Sequence, residues 1–118
     1  MADTDFDELR EQVRRFVAER DWEKFHSPKN LSMALIAEAA ELVEHFQWLT
    51  EEQSYNLTPE KLAEVELELA DIQIYLMSLS VRLRVDLLAA VGKKLAINAQ
   101  RYPVEKAQGN AKKYNEYE

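Results

Sequence analysis

LELADIQIYLMSLSV, residues 67–81, is apolar almost all the way round a helix yet carries Glu68 and Asp71 inside it. Leu62, Val65, Leu69, Ile72, Leu76, Leu79 and Leu83 recur at alternating spacings of three and four, the period of a helical seam. Thr58-Pro59 ahead of the seam is a helix start, a capping hydroxyl followed by a proline at the first helical position. The spacing predicts a helix from Pro59 to about Arg84. A helix this apolar is expected to be largely buried, with a second subunit contributing to the cover.

The flanking sequence is helical too. Ser27-Pro28 starts a second long helix, running to about Thr50, with Leu31, Ala34, Leu35, Leu42, Phe46 and Leu49 as its apolar face. An earlier helix is expected from Asp5 to Arg20 on the stripe Phe6, Leu9, Val13, Phe16 and Val17, with Asp5 and Glu8 resembling a capping box. Between these two lies an aromatic-rich connector, residues 21–28. Glu51 to Leu57 reads as polar loop. Asp86 caps a fourth helix that ends at Tyr102-Pro103, because a proline disfavours helical geometry in the residue before it. Two glycines and three prolines in 118 residues, with no sustained alternation of β-branched residues, fit this all-α reading. The expected architecture is an all-α, four-helix bundle-type protomer over residues 1–103, followed by a polar tail over 104–118.

The bulk numbers exclude several classes. The formal net charge of -7 argues against a nucleic-acid partner, which needs a basic face to displace counterions. A small anionic substrate stays open, because bound cations reverse a local field. The absence of cysteine removes disulfides, thiolate metal sites and cysteine nucleophiles. No apolar run approaches the ~20 residues that span a bilayer, and the acidic start lacks the features of a signal peptide. A cytoplasmic protein with no membrane partner is expected.

The acids inside the apolar faces carry the chemistry. Glu38 falls in the middle of the second helix's apolar stripe and Glu41 follows one turn later. On that helix Ala34, Glu38, Glu41, His45 and Trp48 form one ridge. On the next, Glu64, Glu68, Asp71 and Tyr75 form another. Glu38-x-x-Glu41 and Glu68-x-x-Asp71 share one grammar, and three-residue spacing sets each pair about 5–6 Å apart at Cβ. If the ridges face each other, four carboxylates converge. Two like charges at 4 Å repel by ~4 kcal/mol at an effective dielectric of 20. A hard divalent cation with a preference for oxygen ligands relieves that repulsion. Glutamates at helical spacing are more often a solvated face, which is the reading for Glu44, Glu60, Glu64 and Glu66. For Glu38, Glu68 and Asp71 the apolar surroundings favour a metal site.

With those pairs in view, the chain resembles the MazG-like, all-α nucleoside triphosphate pyrophosphohydrolases, and within them the dCTP pyrophosphatase branch. The resemblance runs from the first helix to Tyr102-Pro103. It is carried by the two acid pairs, the segment AERDWEKFH (18–26), Phe46-Gln47-Trp48, ADIQIYL (70–76), Arg84-Val85-Asp86-Leu87 and INAQRYP (97–103). It implies cleavage between the α and β phosphates to a nucleoside monophosphate and pyrophosphate. It implies magnesium held by Glu38, Glu41, Glu68 and Asp71. Trp22, Phe25, His26 and Trp48 would form the base and sugar pocket, Tyr75 would face the nucleotide, and Lys94, Asn98 and Arg101 would meet the phosphates. It also implies a homodimer or a tetramer made of dimers, with sites near subunit interfaces. Val13 departs from the branch, standing where its members carry a substrate-contacting histidine.

Some of this stands on the residues themselves. Lys94, Asn98 and Arg101 are spaced to share a helix face, with a point charge and a planar fork suited to phosphate. Cations near a helix C-terminus also simply complement its dipole, which applies most to Arg101. Trp22 and Phe25 alone would read as core. Lys29 is as readily a solvated side chain. There is no Gly-rich phosphate loop, so the design differs from that of P-loop enzymes. A carboxylate-bridged di-iron oxidase would need two Glu-x-x-His motifs, which are absent. A non-enzymatic helical interaction module remains the alternative, and it would tolerate Glu38→Gln and Glu68→Gln.

Overall fold

The computed structural model describes residues 5–117, and every described element is helical. Helix α1 (Phe6–Glu19) starts where the Asp5 carboxylate accepts from the Glu8 amide at 2.8 Å. It stops where Asp21 takes a left-handed φ of 55°. A 3-10 turn, Glu23–Phe25, leads into α2 (Pro28–Glu44), whose Ser27 hydroxyl accepts from the Asn30 amide. Helix α3 (Glu51–Ser54) is one turn long. Helix α4 (Pro59–Leu83) is the longest element, capped by Thr58 and closed by Arg84 in the left-handed region at φ 56°. Then come α5 (Leu87–Arg101), α6 (Val104–Ala107) and a 3-10 turn, Tyr114–Glu116.

Contacts divide the chain into two compact units meeting at Arg84–Val85. In the first, α4 is the central element and packs against both α1 and α2. Val17 from α1, Leu31 from α2, and Val65 and Met77 from α4 are its buried apolar residues. Val17, Leu31 and Val65 lie on the stripes their helical periods assign, and Met77 lies beside the α4 seam. In the second unit, the Tyr102 ring meets Tyr114 and Tyr117 edge-on at 6.1 and 6.0 Å. The Arg101 guanidinium lies 4.7 Å from the Tyr114 ring centroid.

The sequence expectations need correction in four places. The second long helix ends at Glu44, not Thr50, because the chain turns at 45–48. Residues 51–54 are helical, not loop: Thr50 and Gln53 form a reciprocal capping box that satisfies two amides at once. The tail carries α6 and a 3-10 turn. Finally, much of the α4 seam is exposed within this chain: Leu62, Leu69 and Leu83 are open, as is Leu67 on another face. No described helix is long and apolar enough to cross a membrane.

Candidate active site

The α2 and α4 acids meet. Carboxylate oxygens of Glu38, Glu41 and Glu68 all lie within 4.8 Å of one another. Two of them are orphaned: Glu38 Oε2 and Glu68 Oε1 are buried with no hydrogen-bond partner. Such atoms are costly unless a proton shared between the two acids or a bound cation satisfies them. The Glu68 carboxylate beside it, then its own burial and then Glu41, push the Glu38 carboxyl up to about 7. None of the three acids enters an ion pair among the described residues. Oxygen-only ligands, crowded negative charge and unmet acceptors fit a hard divalent cation.

Asp71 is exposed, one turn along α4 from Glu68, and its carboxylate is outside the converging set. It lines a second feature instead. A groove of about 690 Å³ runs between α1 and α4, with Val13, Phe16, Trp22, His26, Asp71 and Tyr75 among its walls. Trp22 packs edge-on against Phe16, ring centroids 5.8 Å apart. The connector is pinned there. The Arg82 guanidinium donates to the Glu23 carbonyl at 2.6 Å, and the Asn30 carboxamide to the Phe25 carbonyl at 3.1 Å. Tyr75 is held above the ordinary phenol range, by burial first and then by Glu38, Asp71 and Glu41. Its hydroxyl therefore stays protonated and able to donate at neutral pH.

Not every expected residue arrives. Trp48 does not continue the acid ridge: the helix has already ended, and Trp48 is 87% exposed. His45 caps α2 and turns to α4, where its Nδ1 lies 3.4 Å from Lys61 Nζ and 3.8 Å from Glu64. Phe25 is 58% exposed and is not in the groove wall, because the 3-10 turn carries it outward. Lys94 and Arg101 are exposed and Asn98 is half-buried on α5, in the second unit. Gln12, Gln73 and Ser78 line the groove without having been singled out in the sequence. A ridge continuing from Asp71 and Tyr75 at three- and four-residue steps reaches Ser78 and was the available signal.

Opposed carboxylates on two packed helices thus form an acidic cluster that could hold a metal ion, beside an aromatic-lined groove. The comparisons make that specific: the chain belongs to the MazG-like family, which matches over residues 34–117. It is 46% identical over 112 residues to human dCTP pyrophosphatase 1, covering 90% of this chain and 66% of the human protein. The mouse dCTP pyrophosphatase 1 matches to the same extent. The chain thus spans just under two thirds of the length of these relatives. A crystal structure of a pyrophosphatase from Archaeoglobus fulgidus superimposes with a TM-score of 0.80 at 35% identity, covering 87% of this chain and 96% of that one.

Proposed function

We propose that this chain hydrolyses a nucleoside triphosphate to the monophosphate and pyrophosphate, with dCTP or a related deoxynucleotide as substrate. The observation that carries the proposal is the pair of orphaned buried oxygens, Glu38 Oε2 and Glu68 Oε1, within a three-carboxylate cluster. The relatives' names supply the bond class and the nucleotide. Glu38, Glu41 and Glu68 would hold magnesium, and Asp71 would join them by a side-chain rotation from its place one turn away. Bound magnesium would polarise phosphate oxygens and acidify a coordinated water.

The chain's own side chains have distinct parts in this reading. Glu41, the exposed acid of the cluster, would orient or deprotonate a water. Trp22 stacks on the base, a contact typically worth ~1–3 kcal/mol. His26 lies in the same wall. The Tyr75 hydroxyl donates to the nucleotide between base and phosphates. Lys94, Asn98 and Arg101 are proposed to bind phosphate, on the family pattern. Phe25 and Trp48 would act only where a second copy brings them to a site.

A homo-oligomer is part of the same proposal. Met33, Ile36 and Val43 form an open apolar stripe on α2, with Ile36 68% exposed, and Leu67 on α4 is 70% exposed. Unpartnered apolar helix faces of this kind mark interaction surfaces. Sedimentation would read the assembly.

Incubation with each common NTP and dNTP plus magnesium, with products resolved by chromatography, tests the chemistry. Monophosphate and pyrophosphate are expected. Diphosphate and orthophosphate would refute the bond assignment. Equal inertness of wild type and of Glu38→Gln would favour a non-enzymatic helical module.

A further inference from the structure

Two serines stand two residues apart on α4, and both are buried. Ser80, 5% exposed, donates its hydroxyl to the Met77 carbonyl at 2.7 Å, inside its own helix. Ser78, 7% exposed, enters no hydrogen bond among the described residues. Ser78 instead lines the α1–α4 groove. It also lines a smaller cavity of about 100 Å³, which it shares with Val13, Val17 and His26 and with the charged Arg14, Glu23 and Arg82. The Ser78 hydroxyl is not among the buried atoms left without a partner, so it keeps access through the groove and can meet a water or a ligand there.

Position along the helix says which part of a ligand that would be. Glu68, Asp71, Tyr75 and Ser78 are spaced three, four and three apart, so they form one ridge. The rise of an α-helix puts Ser78 about 10 Å beyond Asp71 and about 15 Å beyond Glu68. With the triphosphate at the acid end, the sugar falls near Tyr75 and the base reaches Ser78. Val13, Val17 and Met77 give the groove apolar walls, among which Ser78 stands with the polar side chains of Gln12, His26 and Gln73.

We propose that Ser78 is a specificity-determining residue whose hydroxyl bonds a ring nitrogen or exocyclic group of the nucleobase, with His26 as a second polar group at that end. This rests on the proposed nucleotide hydrolysis and adds to it the contact that chooses among bases. A hydroxyl both donates and accepts, so it rewards a polar base edge and leaves an unmatched edge unsatisfied.

The test is kcat/KM for dCTP, dTTP, dATP and dGTP in wild type, Ser78→Ala and Ser78→Thr. Ser78→Ala should lower kcat/KM for the best substrate by roughly three- to tenfold, the scale of one neutral hydrogen bond, and leave the poorest unchanged. Ser78→Thr, which keeps the hydroxyl, should restore the preference. Calorimetric titration of dCMP, dTMP, dAMP and dGMP without metal reads the same contact without turnover. An active wild type whose selectivity survives Ser78→Ala overturns the inference and leaves the hydrolase reading intact. An inert wild type overturns the hydrolase reading, and the monophosphate titration then decides on Ser78 by itself.

Discussion

Helix α1 and the α2–α4 pair are both rich in acids, and they treat them in opposite ways. On α1, Asp7 meets Arg10 at 3.4 Å and Glu11 meets Arg14 at 2.6 Å, each pair within one turn of the same helix. Glu11 is held below the ordinary carboxylate range, chiefly by its bond to Arg14. On α2 and α4 the acids face one another, and Glu38 is pushed up to about 7. Sequence spacing is the same three residues in both regions. What differs is the partner: a cation along the helix in one, a carboxylate across a helix interface in the other. An acid count therefore says little, and an acid opposite an acid says a great deal.

Substitution separates the two regions most sharply. Glu68→Gln and Glu38→Gln each remove a proposed ligand. Loss of outer-shell partners typically costs 10–100-fold in metal affinity or activity, so loss of a ligand should lower kcat/KM by more than about a hundredfold. In the metal-free protein above about pH 7, where Glu38 is ionised, the same changes should raise the melting temperature, because a neutral amide ends the repulsion. Glu11→Gln should leave activity unchanged. If Glu11→Gln and Glu68→Gln behave alike in steady-state kinetics, the distinction between the regions has no functional content.

Next in size is Trp22→Ala against Trp48→Ala. Trp22 lies in the groove wall and Trp48 is exposed. Loss of one stacking contact should reduce kcat/KM about 5- to 100-fold for Trp22→Ala. Trp48→Ala should cost less, and should change activity only under conditions where sedimentation finds an oligomer. A larger loss for Trp48→Ala would place the base elsewhere.

The pH behaviour of the metal-free protein is a further test. The Glu38 carboxyl holds its proton up to about 7 when folded, above the ordinary glutamate value of 4.5. Between those values the folded state binds more protons than the unfolded state, so stability falls as pH rises, and levels off above about 7. Melting curves in a chelator should therefore drop between pH 5 and 7. Magnesium should restore more stability at pH 8 than at pH 5, because it binds the ionised carboxylates. Glu11, with its pKa lowered, contributes in the opposite direction at lower pH.

Local rules made most of this legible in advance. Caps at Ser27, Thr58 and Asp86 fixed three helix starts, because a hydroxyl or carboxylate ahead of an apolar period acts within one turn. The acids' placement inside apolar helices was readable, but that Glu38 faces Glu68 was only a condition, because helical period does not say which faces of two helices meet. The end of α2 was not readable: Phe46 and Leu49 continue the helical period, and only the turn at 45–48 breaks it. The Thr50–Gln53 capping box was a visible signal that the polar composition of 51–57 concealed. The exposure of Leu67 and Ile36 could not be read from period alone, because a stripe does not say whether its cover comes from this chain or another.

The smallest effect concerns what ties the end of α2 to α4. Lys61 Nζ lies 3.1 Å from Glu64 and 3.4 Å from His45 Nδ1, so one lysine bridges the two helices. Lys61 and Glu64 side chains are 42% and 59% exposed, and pairs so open are typically worth about 0–1 kcal/mol. Lys61→Met should thus cost less than about 1 kcal/mol in a denaturant titration, since the methionine stem keeps most of the packing. It should shift kcat/KM less than Trp22→Ala does, because neither Lys61 nor His45 belongs to the carboxylate cluster. A loss of activity approaching that of Glu68→Gln would mean that this contact sets the distance between Glu38 and Glu68. The contrast between paired and opposed acids would then depend on a cation after all, one placed at the helix end and not among the carboxylates.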